Sequence, residues 1–209
     1  MSAEQDFLGK IDQQRASQGF RGVTELLDLA DQGNAILDPF SVLISASVIL
    51  GSHNLFYPNV IVQAKDGGEL TVGDGNTFYP NTLILAEKGK VSIGNENQFG
   101  DGGCSVKANM PDAEITIGDN GRYINGAQVI GKTHLGSGAQ VIGPITVQNC
   151  TLEEGDDFRS PDPDLRAGLL KGSGLARNIT VAQGEVLNGT GTFNQSDIER
   201  QSKYHPKKK

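Results

Sequence analysis

Hydrophobic residues recur along this chain at every sixth position. One series runs Leu50, Phe56, Val62 and a second Val72, Phe78, Ile84. A third runs Ile93, Phe99 and, one residue late, Val106. The longest runs Ile117, Tyr123, Val129, Leu135, Val141, Val147 without a slip, and a last series follows at Leu169, Leu175, Val181, Leu187, Phe193. A period of six is neither the 3.6 of a helix nor the plain alternation of a half-buried strand. It predicts short strands joined by tight corners, three sides to a coil of about eighteen residues, the repeat of a parallel β-helix.

Other positions keep the same register. Glycine follows the first residue of five series, at Gly51, Gly73, Gly94, Gly118 and Gly136, and Asn54, Asn76 and Asn97 stand four residues after the apolar Leu50, Val72 and Ile93. Glycine and asparagine suit corners because they tolerate positive φ. Coils stack about 4.8 Å apart, so like residues lie over like. Phe56, Phe78, Phe99 and Tyr123 are predicted to form one inner aromatic column, with Asn54, Asn76 and Asn97 a hydrogen-bonding column beside it. A stacked core is the better reading of those rings than a ligand cage. Spacings longer than six fall after the third side, at 62–72, 84–93, 106–117 and 147–169. Insertions confined to one corner leave the strands stacked and project loops from one edge.

The ends divide the chain into a helical cap over 1–34, a β-helix over 35–193 with a loop insertion at 153–168, and a tail over 194–209. Residues 3–17 read as a polar helix with Phe7, Leu8 and Ile11 on one face. A second helix over 25–32 is predicted to start at Thr24 and close at Gly33. Its expected role is to cover the first coil, whose open edge invites aggregation; docking a partner is the alternative. The 153–168 loop, with Asp156, Asp157, Phe158, Arg159, Pro161, Asp162, Pro163, Asp164 and Arg166, suits an arm toward a neighbouring subunit or a solvated loop. The tail is expected to make one helical turn around Ile198 and then fray.

Composition narrows the picture. Glycine, at 28 residues, is about twice average usage. A net charge of −7 opposes nucleic-acid binding, which needs a basic surface; Lys207, Lys208 and Lys209 read as a solvated tail. Glu4 and Asp6 leave no apolar leader, and no stretch is long enough to cross a bilayer. Cys104 and Cys150 make no disulfide framework, which together with the missing leader predicts a reduced, cytoplasmic protein.

The hexads VGDGNT (72–77), IGNENQ (93–98), IGDNGR (117–122) and LGSGAQ–VIGPIT (135–146) resemble the bacterial transferase hexapeptide superfamily over about residues 41–193. That resemblance implies an all-β, left-handed parallel β-helix and a homotrimer. Three branches of the superfamily then compete. Its acyltransferases bind acyl-CoA between neighbouring prisms and use a histidine as general base. Its γ-class carbonic anhydrases hold zinc with three histidines from two subunits. The small pointed-end subunits of dynactin keep the prism without chemistry, and NITVAQGEVLNGTG (178–191) looks somewhat like their last coil.

The chain has three histidines, His53, His134 and His205. His53 and His134 fall at non-core positions about three coils apart, on the order of 14 Å along the axis. One subunit cannot bring both to one metal at bonds of about 2 Å, so no metal ligands are assigned. For acyl transfer His134 is the candidate base, before the corner at Leu135, with Lys132 and Arg159 as candidate contacts to acetyl-CoA or another acyl-CoA; a plain surface histidine is the rival reading. Acyl transfer leads on the habit of the superfamily. A non-catalytic scaffold with a protein partner follows from the lack of a complete catalytic constellation.

Overall fold

The computed structural model describes residues 3–205, with side chains from residue 7. The side chains of Glu4 and Asp6 and the basic run Lys207, Lys208 and Lys209 lie outside the described residues. The chain winds into a parallel β-solenoid with three faces. The first stacks Ala35–Ile36, Leu55–Phe56, Thr77–Phe78, Gln98–Gly100, Arg122–Ile124, Gln140–Ile142 and the start of Leu169–Arg177. The second stacks Leu43–Ile44, Ile61–Lys65, Thr82–Glu87, Cys104–Ala108, Ala127–Ile130, Ile145–Gln148 and the end of Leu169–Arg177. The third runs from Ile49–Leu50 to Thr180–Val181 as a separate seven-stranded sheet.

The period-six residues fill the interior. Phe56, Phe78, Phe99 and Tyr123 are fully buried and in direct register. Their ring centroids lie 4.9, 5.2 and 5.2 Å apart. Each buried ring contributes roughly 1.5–3 kcal/mol, and each stacked pair adds about 0.5–1.5 kcal/mol. Beside them Asn34, Asn54, Asn76 and Asn97 form a continuous ladder. Each Oδ1 accepts from the backbone N–H of the next rung, at 2.9, 2.9, 3.0 and 2.7 Å, ending on Gly121. Asn34, the lowest rung, carries no period-six signal. The ladder stops where phenylalanine gives way to tyrosine: the Tyr123 hydroxyl occupies the space beside Gly121, buried and without a hydrogen-bond partner among the described residues.

The corners absorb the irregular spacings. The extra residue before Val106 sits in a turn of four consecutive positive-φ residues, Gly100, Asp101, Gly102 and Gly103, a conformation that three glycines adopt without strain. The insertions after Val62, Ile84 and Val106 lengthen second-face strands by a small inward residue, Ala64, Ala86 or Ala108, and turn into the third face.

The last coil departs from the predicted register. Leu170 lies over Val141, and Ala176 over Val147, both fully buried. Leu169 and Leu175 therefore point outward, one position off the series. The slip arises because Leu152, within the 147–169 spacing and just before the predicted 153–168 loop, forms a third-face rung between Leu135 and Val181. The long loop consequently leaves after Leu152, from the corner between the third and first faces, and not from the corner that carries the shorter insertions. Leu169–Arg177 runs unbroken from the first face into the second, through Gly172 and Gly174 at φ 118° and 130°. A Cβ on Gly172 would collide with the Gly189 carbonyl of the next rung, so that crossing requires glycine.

Both ends are closed. The helix Ala3–Ser17 is joined to Val23–Asp28 and a 3-10 turn, Leu29–Gln32, ending at Gly33 with φ 76°. The predicted cap at Thr24 moves to Gly22, because Asp12 of the first helix accepts from the Val23 N–H and Glu25 accepts from the Gly22 N–H. Leu26 and Leu29 join the core at the first coil, and Arg15 donates to the Phe40 and Val42 carbonyls. Phe7, grouped with Leu8 and Ile11 on one face of the first helix, is exposed. At the other end Ile198–Arg200 pairs antiparallel with Glu185–Thr192, so Ile198 lies in a strand and not in the expected helical turn. The partly buried Ile198 packs on the core there, which favours the extended backbone.

Candidate functional site

His134 lies in the third-face strand Lys132–Leu135, between Thr116 and Thr151 in register, with its side chain outward and exposed. Its backbone N–H donates to the Cys150 carbonyl at 2.9 Å. No hydrogen bond or ion pair engages its imidazole among the described residues. Lys132, two residues earlier, is also outward, and lines a groove with Met110, Asp112, Gln148 and Asn149. His53 stands at a corner with φ 59°, its ring against Gly33 and its Nδ1 3.1 Å from the Ser52 hydroxyl. Among the described residues no group of three His, Cys, Asp or Glu side chains could hold a metal ion.

Arg159 sits elsewhere, on the long loop. Its guanidinium makes a 3.2 Å ion pair with Asp157 and lies 4.8 Å from the centroid of the Phe158 ring. It lines a groove with Ser160, Pro161, Arg166, Tyr204 and His205. The structure thus places Lys132 and Arg159 in different grooves.

The Arg159 groove adjoins a cavity of about 290 Å³ that the period of six does not reveal. Its floor is the outer surface of the first face, where Arg122, Gln140, Leu169 and Val186 form one register row and Ile142, Lys171 and Asn188 the next. Phe158 and Arg166 of the loop form one wall, and Gln201, Tyr204 and His205 of the tail the other. The loop and tail are tied together. Gln201 donates to the Ala167 and Glu185 carbonyls at 2.7 and 3.2 Å, and Arg200 pairs with Asp164 at 3.5 Å. Outward positions of a solenoid carry no packing period, so only Arg159 and the loop itself point to this region from sequence.

The cavity lining contains Arg122, Arg166, Lys171 and His205 and no carboxylate. The Arg122 guanidinium lies 4.2 Å from the Phe158 ring centroid, a cation–π contact. Its Nε is buried with no hydrogen-bond partner among the described residues. Arg166 donates through Nε and Nη2 to the Ser160 carbonyl at 3.0 and 2.6 Å. No helix among the described residues is long and apolar enough to cross a membrane. Comparison with protein-family models, with curated proteins and with solved structures found no match.

Proposed function

We propose that the chain is a hexapeptide-repeat scaffold, left-handed and homotrimeric, that works in the cytoplasm by holding partners. One observation carries this reading. On the outer surface of the second face Leu43, Ile61 and Leu83 stand in consecutive register, with Leu85 beside them, all only partly buried. The adjoining corner adds Leu37 and Phe40, both more than half exposed, and the stacked pair Tyr57 and Tyr79 at 5.2 Å. Contiguous apolar surface on a β-face open to water marks association. The Leu43–Ile61–Leu83 row turns polar at Ser105 and Gln128, and Leu85 is followed by Lys107, which confines the stripe to the first coils. Light scattering on the eluting protein tests it: a mass near three times 22.1 kDa is expected, falling to the monomer in Leu83→Asp. A monomeric parent protein would overturn the reading.

A second reading is CoA-dependent acyl transfer, with His134 as general base and Lys132 and Arg159 contacting acyl-CoA across a subunit boundary. The exposed, unengaged imidazole favours it, since a base must be free to reach its proton. Release of CoA from acetyl-CoA in the presence of candidate acceptors, lost in His134→Ala with the fold intact, would support it; undiminished release in that variant would remove it.

A further inference from the structure

We propose that the cavity between the long loop, the tail and the first face binds a small organic anion with an apolar body. This site is separate from the apolar stripe and from His134, and it stands or falls independently of either reading above. Its first support is charge. The chain carries a net −7, yet this cavity is lined by Arg122, Arg166 and Lys171 without a carboxylate. Four acidic residues of the loop are engaged elsewhere: Asp156 accepts from Ser160, Asp157 pairs with Arg159, Asp162 accepts from the Asp164 N–H, and Asp164 pairs with Arg200. Neither the Arg122 guanidinium nor the Lys171 ammonium makes an ion pair or hydrogen bond among the described residues. Holding cations together without a counter-charge is unfavourable, and a bound anion relieves it.

The second support is geometry. Arg122 already has its guanidinium held against Phe158 at 4.2 Å, so little side-chain freedom remains to be lost on binding. Ile142, Leu169, Val186 and Phe158 offer apolar surface beside the cations. A cavity of about 290 Å³ is at the lower end for small-molecule sites. A ring or short chain ending in a phosphate or carboxylate matches this combination.

Calorimetric titration of the full chain with phenyl phosphate tests the proposal, with benzoate, inorganic phosphate and benzyl alcohol as further arms. Saturable binding of phenyl phosphate, benzoate or both is expected, and which of them binds distinguishes the phosphate from the carboxylate class. Inorganic phosphate and benzyl alcohol should bind more weakly. Arg122→Gln and Lys171→Gln should each weaken binding at least about tenfold, equivalent to about 1.4 kcal/mol, whereas Lys132→Gln should not. Lys171 is exposed, so its variant keeps the test sound if Arg122→Gln fails to fold. Absence of saturable binding by both aromatic anions at millimolar concentration, or binding unchanged in Lys171→Gln, would overturn the proposal.

Discussion

Gly121 and Tyr123 share one volume: a Cβ on Gly121 would overlap the Tyr123 hydroxyl, and the asparagine ladder ends there for that reason. The hydroxyl is buried without a partner among the described residues, and burial pushes its pKa up. An unsatisfied buried polar group costs about 1–3 kcal/mol. Tyr123→Phe is therefore expected to raise the melting temperature by a few degrees, about 2–4 °C per kcal/mol at this size. A lower melting temperature would show that the hydroxyl contributes a bond.

Asn76 is a heavily used rung. Its Oδ1 accepts from the Asn97 N–H and Nδ2, both at 3.0 Å, and its Nδ2 donates to Asn54 Oδ1 and the Gly94 carbonyl. Asn76→Ala should cost about 2–4 kcal/mol, because it leaves buried groups on two neighbouring coils unpaired. Urea denaturation measures it; a loss below about 0.5 kcal/mol, the scale of ordinary surface changes, would contradict the ladder's role.

The register of the last coil can be read by substitution. Ala176 points inward and Leu175 outward. Ala176→Leu should overpack the prism and cost about 1–3 kcal/mol, while Leu175→Gln should stay within about 0.5 kcal/mol. The opposite ranking in thermal melts would restore the uninterrupted period of six.

Burial pushes the Cys104 thiol up to about 12 from an ordinary 9.0. A raised folded-state pKa means that its stabilising effect is complete below pH 9 and is lost as pH rises toward 12. The native thiol should resist Ellman's reagent at about pH 8, where even a free thiol is only partly ionised, and react once urea unfolds the chain. Between pH 9 and 12 stability should fall less steeply in Cys104→Ala than in the parent. Rapid labelling of native Cys104, resolved by mass spectrometry from Cys150, would show that the interior opens.

Much of the fold is legible in the sequence because interior positions obey a strict spatial rule. Phe56, Phe78 and Phe99 have to be large, and Asn54, Asn76 and Asn97 small, for one coil to close over the last. The rung at Leu152 escapes the period because it comes one residue early. That offset hides both the corner of the prism from which the long loop leaves and the inward roles of Leu170 and Ala176. Of the candidate site residues, Arg159 adjoins the cationic cavity, while nothing in the spacing of Arg122, Arg166 and Lys171 groups them.

The order of residues is enough to set the period, the triangular interior and the need for corners, since stacking repeats the same steric demand at every coil. Tertiary structure alone decided which outward residues meet. Arg122 and Lys171 belong to different coils, and Phe158 and Tyr204 to a loop and a tail that fold back over them. No local periodicity links such residues; they become neighbours only when the chain has closed.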